Sequence, residues 1–226
     1  MSYTLITANR NYSSWSLRPW FLMKALGIAF VDRVEQFRAT VNTDFAAFSP
    51  TAKVPVLIDG NRTIYDSLAI VMYLAERHDG VWPTDTDARI WAQCAASEMH
   101  SGFDALRSDC TMNVGVRVRP KPMSDRLCAD IARIRELLEA GLDCFGGPWL
   151  AGSALTAADA FFAPVAWRVR TYGLQVGAAS RWIDRVIAHP AMQFWEVQAL
   201  EETWREAGHE AELLACGDVV ADYRRR

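Results

Sequence analysis

A chain of 226 residues is ample for a packed core and suits one large or two small domains. Hydrophobic residues make up 51% and charged residues 23%, an ordinary soluble balance, and a formal net charge of -3 offers no strong field to nucleic acid or to an anionic membrane. The one basic run, Arg224-Arg225-Arg226, lies on a tail expected to fray, and no apolar run reaches membrane-spanning length.

Tyr3 to Thr7 reads as a strand, and the polar Ala8 to Ser14 as a turn. The opening residues reach Asn9-Arg10-Asn11 too soon for the apolar stretch of a signal peptide, so a cytoplasmic home is expected. Trp15 to Leu26 predicts a helix closed by Gly27, and Ala29 to Gln36 is strand-rich. Val54 to Ile58 and Arg62 to Tyr65 flank Asp59-Gly60-Asn61, a strong hairpin signal. Ser67 to Arg77 predicts an amphipathic helix. The polar stretch Asp79 to Asp87, with Pro83, suits an interdomain linker.

Beyond the linker only helices are expected, over Ala88 to Cys110, Ser124 to Phe145, Ala157 to Tyr172, Ala178 to Ile187 and Ala191 to Ala207. Thr156-x-x-Asp159 is a capping-box pattern that starts one of them. Cys94, Cys110, Cys128, Cys144 and Cys216 are odd in number and spread out, with no C-x-x-C. That pattern argues against a disulfide framework and a zinc ribbon, and since most lie in helical, apolar-rich stretches they are expected as buried reduced thiols. His78, His100, His189 and His209 have no metal-ligand spacing, so no metal is expected.

Four segments now coincide in order and spacing. Asn11-Tyr12-Ser13-Ser14-Trp15-Ser16-Leu17-Arg18 precedes the first helix, and Ser49 to Leu57, with Lys53-Val54-Pro55, opens the hairpin. Asp66-Ser67 begins the next helix, and Leu150-Ala151-Gly152 leads into Leu155 to Ala160. Together they resemble the cytosolic glutathione transferase family over nearly the whole chain, with an opening similar to its zeta and theta branches and related bacterial members. The resemblance implies a thioredoxin-like α/β domain over residues 1–80 that binds glutathione. It implies an all-α helical bundle over 87–226 that shapes a second, apolar site. It also implies a homodimer.

Glutathione reacts as its thiolate, and an unperturbed thiol has a pKa of about 8.5. Making thiolate dominant at neutral pH needs about 2.7 kcal/mol. A helix N-terminus supplies up to about 2 kcal/mol, and one hydroxyl bond to the anion about 1.5–3 kcal/mol. A serine in the first turn of the first helix therefore suffices, and both Ser13 and Ser14 stand there. Counted back from Arg18, Ser14 matches the theta-like position, while the zeta-like tandem brings in Ser13. Either could equally be a plain helix cap.

By the same resemblance Val54-Pro55 is cis, and the backbone of Val54 pairs with the cysteinyl part of glutathione. Asp66 and Ser67 match the charged γ-glutamyl end, and Lys53 the glycyl carboxylate. Many relatives have glutamate where this chain has Asp66, one methylene shorter. Phe103, Arg107, Met112 and Trp167 are expected to line the electrophile pocket. The implied reaction is attack of glutathione on a small electrophile, in a detoxifying transferase. A zeta-like glutathione-dependent cis-trans isomerase is a rival that fits the tandem serines, although Trp15 stands where the zeta pattern has cysteine. A non-catalytic interaction module on the same fold is a second rival.

Overall fold

The computed structural model of the chain describes residues 3–37 and 43–225, leaving Met1, Ser2, Arg226 and the segment 38–42 outside the description. The first half builds a four-stranded sheet in the order β2-β1-β3-β4. Strand β1 (Tyr3–Ala8) pairs in parallel with β2 (Phe30–Glu35), and the crossover helix α1 (Ser14–Ala25) connects them. Strand β3 (Val56–Asp59) runs antiparallel to β1, with Leu5 opposite Leu57, and β4 (Arg62–Tyr65) closes the hairpin at Gly60, φ +60°. A short α2 (Thr43–Ala46) and the longer α3 (Ser67–Ala75) complete this half.

The other half is helical: α4 (Thr86–Ser101), α5 (Asp104–Asp109), α6 (Asp125–Phe145), α7 (Ala157–Tyr172), α8 (Ser180–Ala188), α9 (Pro190–Glu201) and α10 (Ala207–Cys216). One continuous core joins the two halves, because α1 packs on α7 and α9 as well as on α3 and β1. Trp20, Trp167, Trp182 and Trp195 are fully buried in it. Each such ring removes roughly 150–250 Å² from water, about 4–6 kcal/mol of transfer free energy before ordering entropy is subtracted. Helix α1 is buried on nearly every side, from Ser14 to Met23, and so shows no amphipathic stripe.

The capping box holds as a structural device. Buried Asp159 accepts from the backbone N–H groups of Thr156 (3.0 Å) and Leu150 (2.9 Å) and from the Trp182 indole (2.9 Å). Burial pushes its carboxyl pKa up, and these donors oppose that shift.

Several boundaries depart from expectation. The helix expected over Ala88 to Cys110 breaks at Gly102-Phe103, where Phe103 takes a left-handed φ of 64°. The helix expected through Ala207 ends at Glu201, because the Glu202 side chain turns to the backbone N–H of Arg10 (2.6 Å). Two strands stand where none was expected: β5 (Val116–Pro120) pairs antiparallel with β6 (Gly217–Asp222). Their signal was present, since Val116 and Val118 alternate with Arg117 and Arg119, but it is only five residues long.

The tail does not fray through Arg225. The Arg224 side chain is buried against Glu210 (2.6 Å) and Asp222 (2.7 Å), and the Arg225 backbone N–H donates to the Leu200 carbonyl (2.7 Å). All five cysteines are free thiols, but only Cys110 and Cys216 are buried; Cys94, Cys128 and Cys144 face solvent from α4 and α6. No helix among the described residues is long and apolar enough to cross a membrane.

Candidate active site

The N-terminus of α1, the loop before β3, the start of α3 and the start of α10 enclose a cleft of about 490 Å³. Ser13, Ser14, Lys53, Val54, Pro55 and Asp66 all line it, so the structure gathers residues from three separate segments. A larger hollow of about 630 Å³ lies beside the linker, around Trp82, Pro83 and Asp85. There Asp85 caps α4 by accepting from Ala88 N–H (2.9 Å).

The two serines differ in what their hydroxyls do. Ser13 is the residue before α1 and donates its Oγ to Ser16 Oγ at 2.7 Å, within the protein. Ser14 opens the helix, its N–H donates to the Tyr12 carbonyl (2.8 Å), and its Oγ has no partner among the described residues. Ser14 stands at a helix N-terminus, where first-turn N–H groups lack intrahelical partners and favour an anion.

The Val54-Pro55 bond is cis, as expected. Ser49 fixes the loop before it, donating Oγ to the Lys53 carbonyl (2.7 Å) and accepting from the Lys53 N–H (3.2 Å). Asp66 caps α3, accepting from Leu68 N–H (2.7 Å), while its other oxygen lies 3.5 Å from His100 Nε2. Capping thus occupies one oxygen and leaves the second at the cleft. Burial lowers the His100 pKa, Arg18 and Arg107 lower it further, and Asp66 opposes them. Ser67 is fully buried, and its Oγ has no partner among the described residues. An orphaned buried hydroxyl at a helix start is costly to fold and suited to a ligand.

The four residues expected around the electrophile do not line this cleft. Phe103, Met112 and Trp167 are buried in the core of the helical half. Arg107 donates Nε to the Gly102 carbonyl (2.9 Å) and a second nitrogen to the Met99 carbonyl. Its guanidinium sits 4.8 Å from the ring of Trp15, which does line the cleft.

Sequence reasoning passed over three residues in or behind the site. Arg18 lies one helical turn after Ser14, fully buried, 4.2 Å over the Trp15 ring and 5.0 Å over that of Phe161. It makes one hydrogen bond, to the Met99 carbonyl (3.3 Å), and no carboxylate pairs with it among the described residues. Burial drives its pKa well down, Arg107 and Arg168 add to this, and Asp66 opposes. An arginine at i+4 from a candidate serine on an otherwise apolar helix was the available signal.

Tyr12 donates its hydroxyl to Glu210 (2.7 Å), and burial together with that carboxylate pushes its pKa up, so it is not free to donate to a thiolate. His209 stacks on Tyr12, with ring centroids 4.8 Å apart and planes within 14°. Its Nδ1 lies 2.6 Å from Glu206 Oε2. Burial favours the neutral form of Glu206, but the N–H groups of Gly208 and His209 and the His209 ring outweigh it and lower its pKa. Arg10, another cation near the serines, is committed elsewhere, to Asp32 (2.6 Å) and to the faces of Trp20 and Trp195.

The chain is similar to known proteins in both sequence and fold. The family model for the glutathione S-transferase N-terminal domain matches residues 12–77, and that for the C-terminal domain matches 124–208. A zeta-class glutathione S-transferase from Euphorbia esula is 28% identical over 162 residues, covering 69% of this chain and 70% of its own length. Glutathione S-transferase theta-3 from Mus musculus is 29% identical over 154 residues, 62% of each chain. Among solved structures, a glutathione transferase homologue from Burkholderia with bound glutathione aligns at TM-score 0.64 and 22% identity, covering 88% of this chain and 97% of its own. Human glutathione-S-transferase T1-1 aligns at TM-score 0.64 and 23% identity, covering 94% and 97%. The two domain models together account for most of the chain, and the first spans Ser14, Val54 and Asp66 of the cleft, so the chain belongs to the glutathione S-transferase family.

Proposed function

We propose that the cleft binds glutathione along the Val54 backbone and holds its thiol as thiolate beside Ser14, for addition to, or substitution on, a small electrophile. The observation that carries this is the contrast between the serines: Ser13 spends its hydroxyl on Ser16, while Ser14 keeps an unpartnered one at a helix N-terminus. A thiolate there gains a hydroxyl donor, unpaired N–H groups and the field of buried Arg18 one turn below. Asp66 and Ser67 take the γ-glutamyl end, and Lys53 is the cation for the glycyl carboxylate. In this proposal residues 1–80 carry the glutathione site, and 87–226 hold the serine loop in place and border the electrophile, with Arg107 nearest to it through Trp15 and Phe103, Met112 and Trp167 packed behind.

A cytoplasmic homodimer acting in detoxification completes the proposal. Its support is five free thiols and an apolar exposed surface at Tyr65, Met72 and Ile90, on β4, α3 and α4. Calorimetry and thermal unfolding with about 10 mM glutathione test the binding, since hundredfold saturation adds about 2.7 kcal/mol of stability. Ser67→Ala is expected to raise half-saturation more than it lowers saturated turnover, because its contact is remote from sulfur and uniform through the reaction. Neither heat nor a thermal shift at that concentration overturns the proposal.

A further inference from the structure

The cleft has a wall that neither family segment supplies. The C-terminal domain model stops at residue 208, and the next residue, His209, lines the same cleft as Ser14 and Lys53. Its ring lies between Tyr12, stacked at 4.8 Å, and Phe37, also at 4.8 Å. Phe37 in turn touches Phe45 (5.8 Å), just ahead of the loop that carries Thr51 and Lys53. His209 and Lys53 thus line one cleft, and the Phe37–Phe45 pair leads from the imidazole to the element before the Lys53 loop, whereas Asp66 faces His100.

The side chain is set rather than loose. Glu206 accepts from the backbone N–H groups of Gly208 (2.9 Å) and His209 (2.7 Å), and its Oε2 also meets His209 Nδ1 at 2.6 Å. That fixes both the start of α10 and the turn of the imidazole. Nε2 has no partner among the described residues. A ring nitrogen held at a cleft wall, with the opposite nitrogen bonded to a carboxylate, is built to make one further polar contact.

We propose that His209 binds the glycyl carboxylate of glutathione together with Lys53, so that the start of α10 closes that end of the site. The inference rests on glutathione being the ligand of the cleft. In its imidazolium form His209 donates through both ring nitrogens, Nδ1 to Glu206 and Nε2 to the ligand carboxylate. The tail of the helical half, anchored through Glu210 and Arg224, then contributes directly to affinity for the cofactor-like substrate and not only to the electrophile side.

The test is calorimetry on the full chain with two ligands, glutathione and its glycyl amide, which lacks that carboxylate. His209→Ala and His209→Gln are each expected to weaken glutathione about five- to tenfold. Each is also expected to narrow the preference for glutathione over the amide by the same factor. That preference is a ratio within one variant, so partial unfolding does not imitate it. Equal loss for both ligands, or unchanged affinity with lowered turnover, overturns the inference while leaving glutathione as the ligand. If the unsubstituted chain binds neither ligand at about 10 mM, the glutathione proposal and this inference fall together.

Discussion

The hydroxyl of Tyr12 donates to Glu210 at 2.7 Å, across 198 residues of sequence. The same carboxylate takes Arg224, and neighbouring Asn11 donates to the Ala199 carbonyl (2.6 Å). The loop that presents Ser13 and Ser14 is thus held from the far end of the chain. Its position depends on α9, α10 and the tail as much as on the sheet that precedes it.

Ser14→Ala is expected to raise the pKa of the bound glutathione thiol by about one to two units, because a lost donor destabilises the anion. Ser13→Ala should move it less, since that hydroxyl already goes to Ser16. Thiolate absorbance in the ultraviolet against pH reads both. The reverse order would move the role to Ser13, and no shift in either would leave it to the helix N–H groups.

Arg18→Met removes a buried charge that has one hydrogen bond and two unpaired nitrogens. Urea unfolding should show stability unchanged or raised by up to about 2 kcal/mol, as when a buried ion gives way to an apolar side chain of similar reach. The bound thiol pKa should rise at the same time. A large loss of stability would show that stacking on Trp15 and Phe161 dominates instead.

Asp159→Ala strands four donors in the interior: two backbone N–H groups, the Thr156 hydroxyl and the Trp182 indole. A loss of about 3–5 kcal/mol is expected by denaturant midpoint, with Asp159→Asn less severe because its oxygen still accepts. A loss below about 1 kcal/mol would mean that water reaches those donors.

Acid should loosen the tail first. Arg224 holds the Asp222 carboxyl below its usual range, and for Glu210 the donors Arg224 and Tyr12 outweigh the upward push of burial. Carboxyl groups depressed in the folded state contribute stability above their unfolded pKa values, about 4, and lose it as pH falls through the folded ones. Limited proteolysis with an acid-active protease near pH 3 should cut after residue 200 before it cuts the sheet. Arg224→Ala, costing about 2 kcal/mol, should bring the same cleavage to higher pH. Even cutting along the chain would count against this order.

The local signals of the sheet half were strong enough to read directly. Asp59-Gly60-Asn61 has one economical conformation between two β-rich runs, and Gly27 ends α1 with φ +66°. Ser14, Val54 and Asp66 were legible because each sits at the start of such an element. Arg18 and Tyr12 were not, because their roles come from partners 81 and 198 residues away. The break at Phe103 was hidden for a related reason: no glycine or proline occupies the left-handed position itself. His209 falls in a helix of only ten residues, and what makes it part of a site is Glu206 on one side and Phe37 on the other.

Helix α1 is buried against both halves, and that bears on how the protein is made. When the ribosome has released residues 1–80, the sheet can pair, but Trp20, Phe21 and Leu22 still lack α7 and α9 to cover them. Residues 157–201 supply that cover. At about 5–20 residues per second, the nascent sheet half waits several seconds with an apolar flank open to water. Chaperone demand during synthesis should therefore concentrate in that interval, and a ribosome stalled just past the linker should leave the site's own serine helix as its most aggregation-prone part.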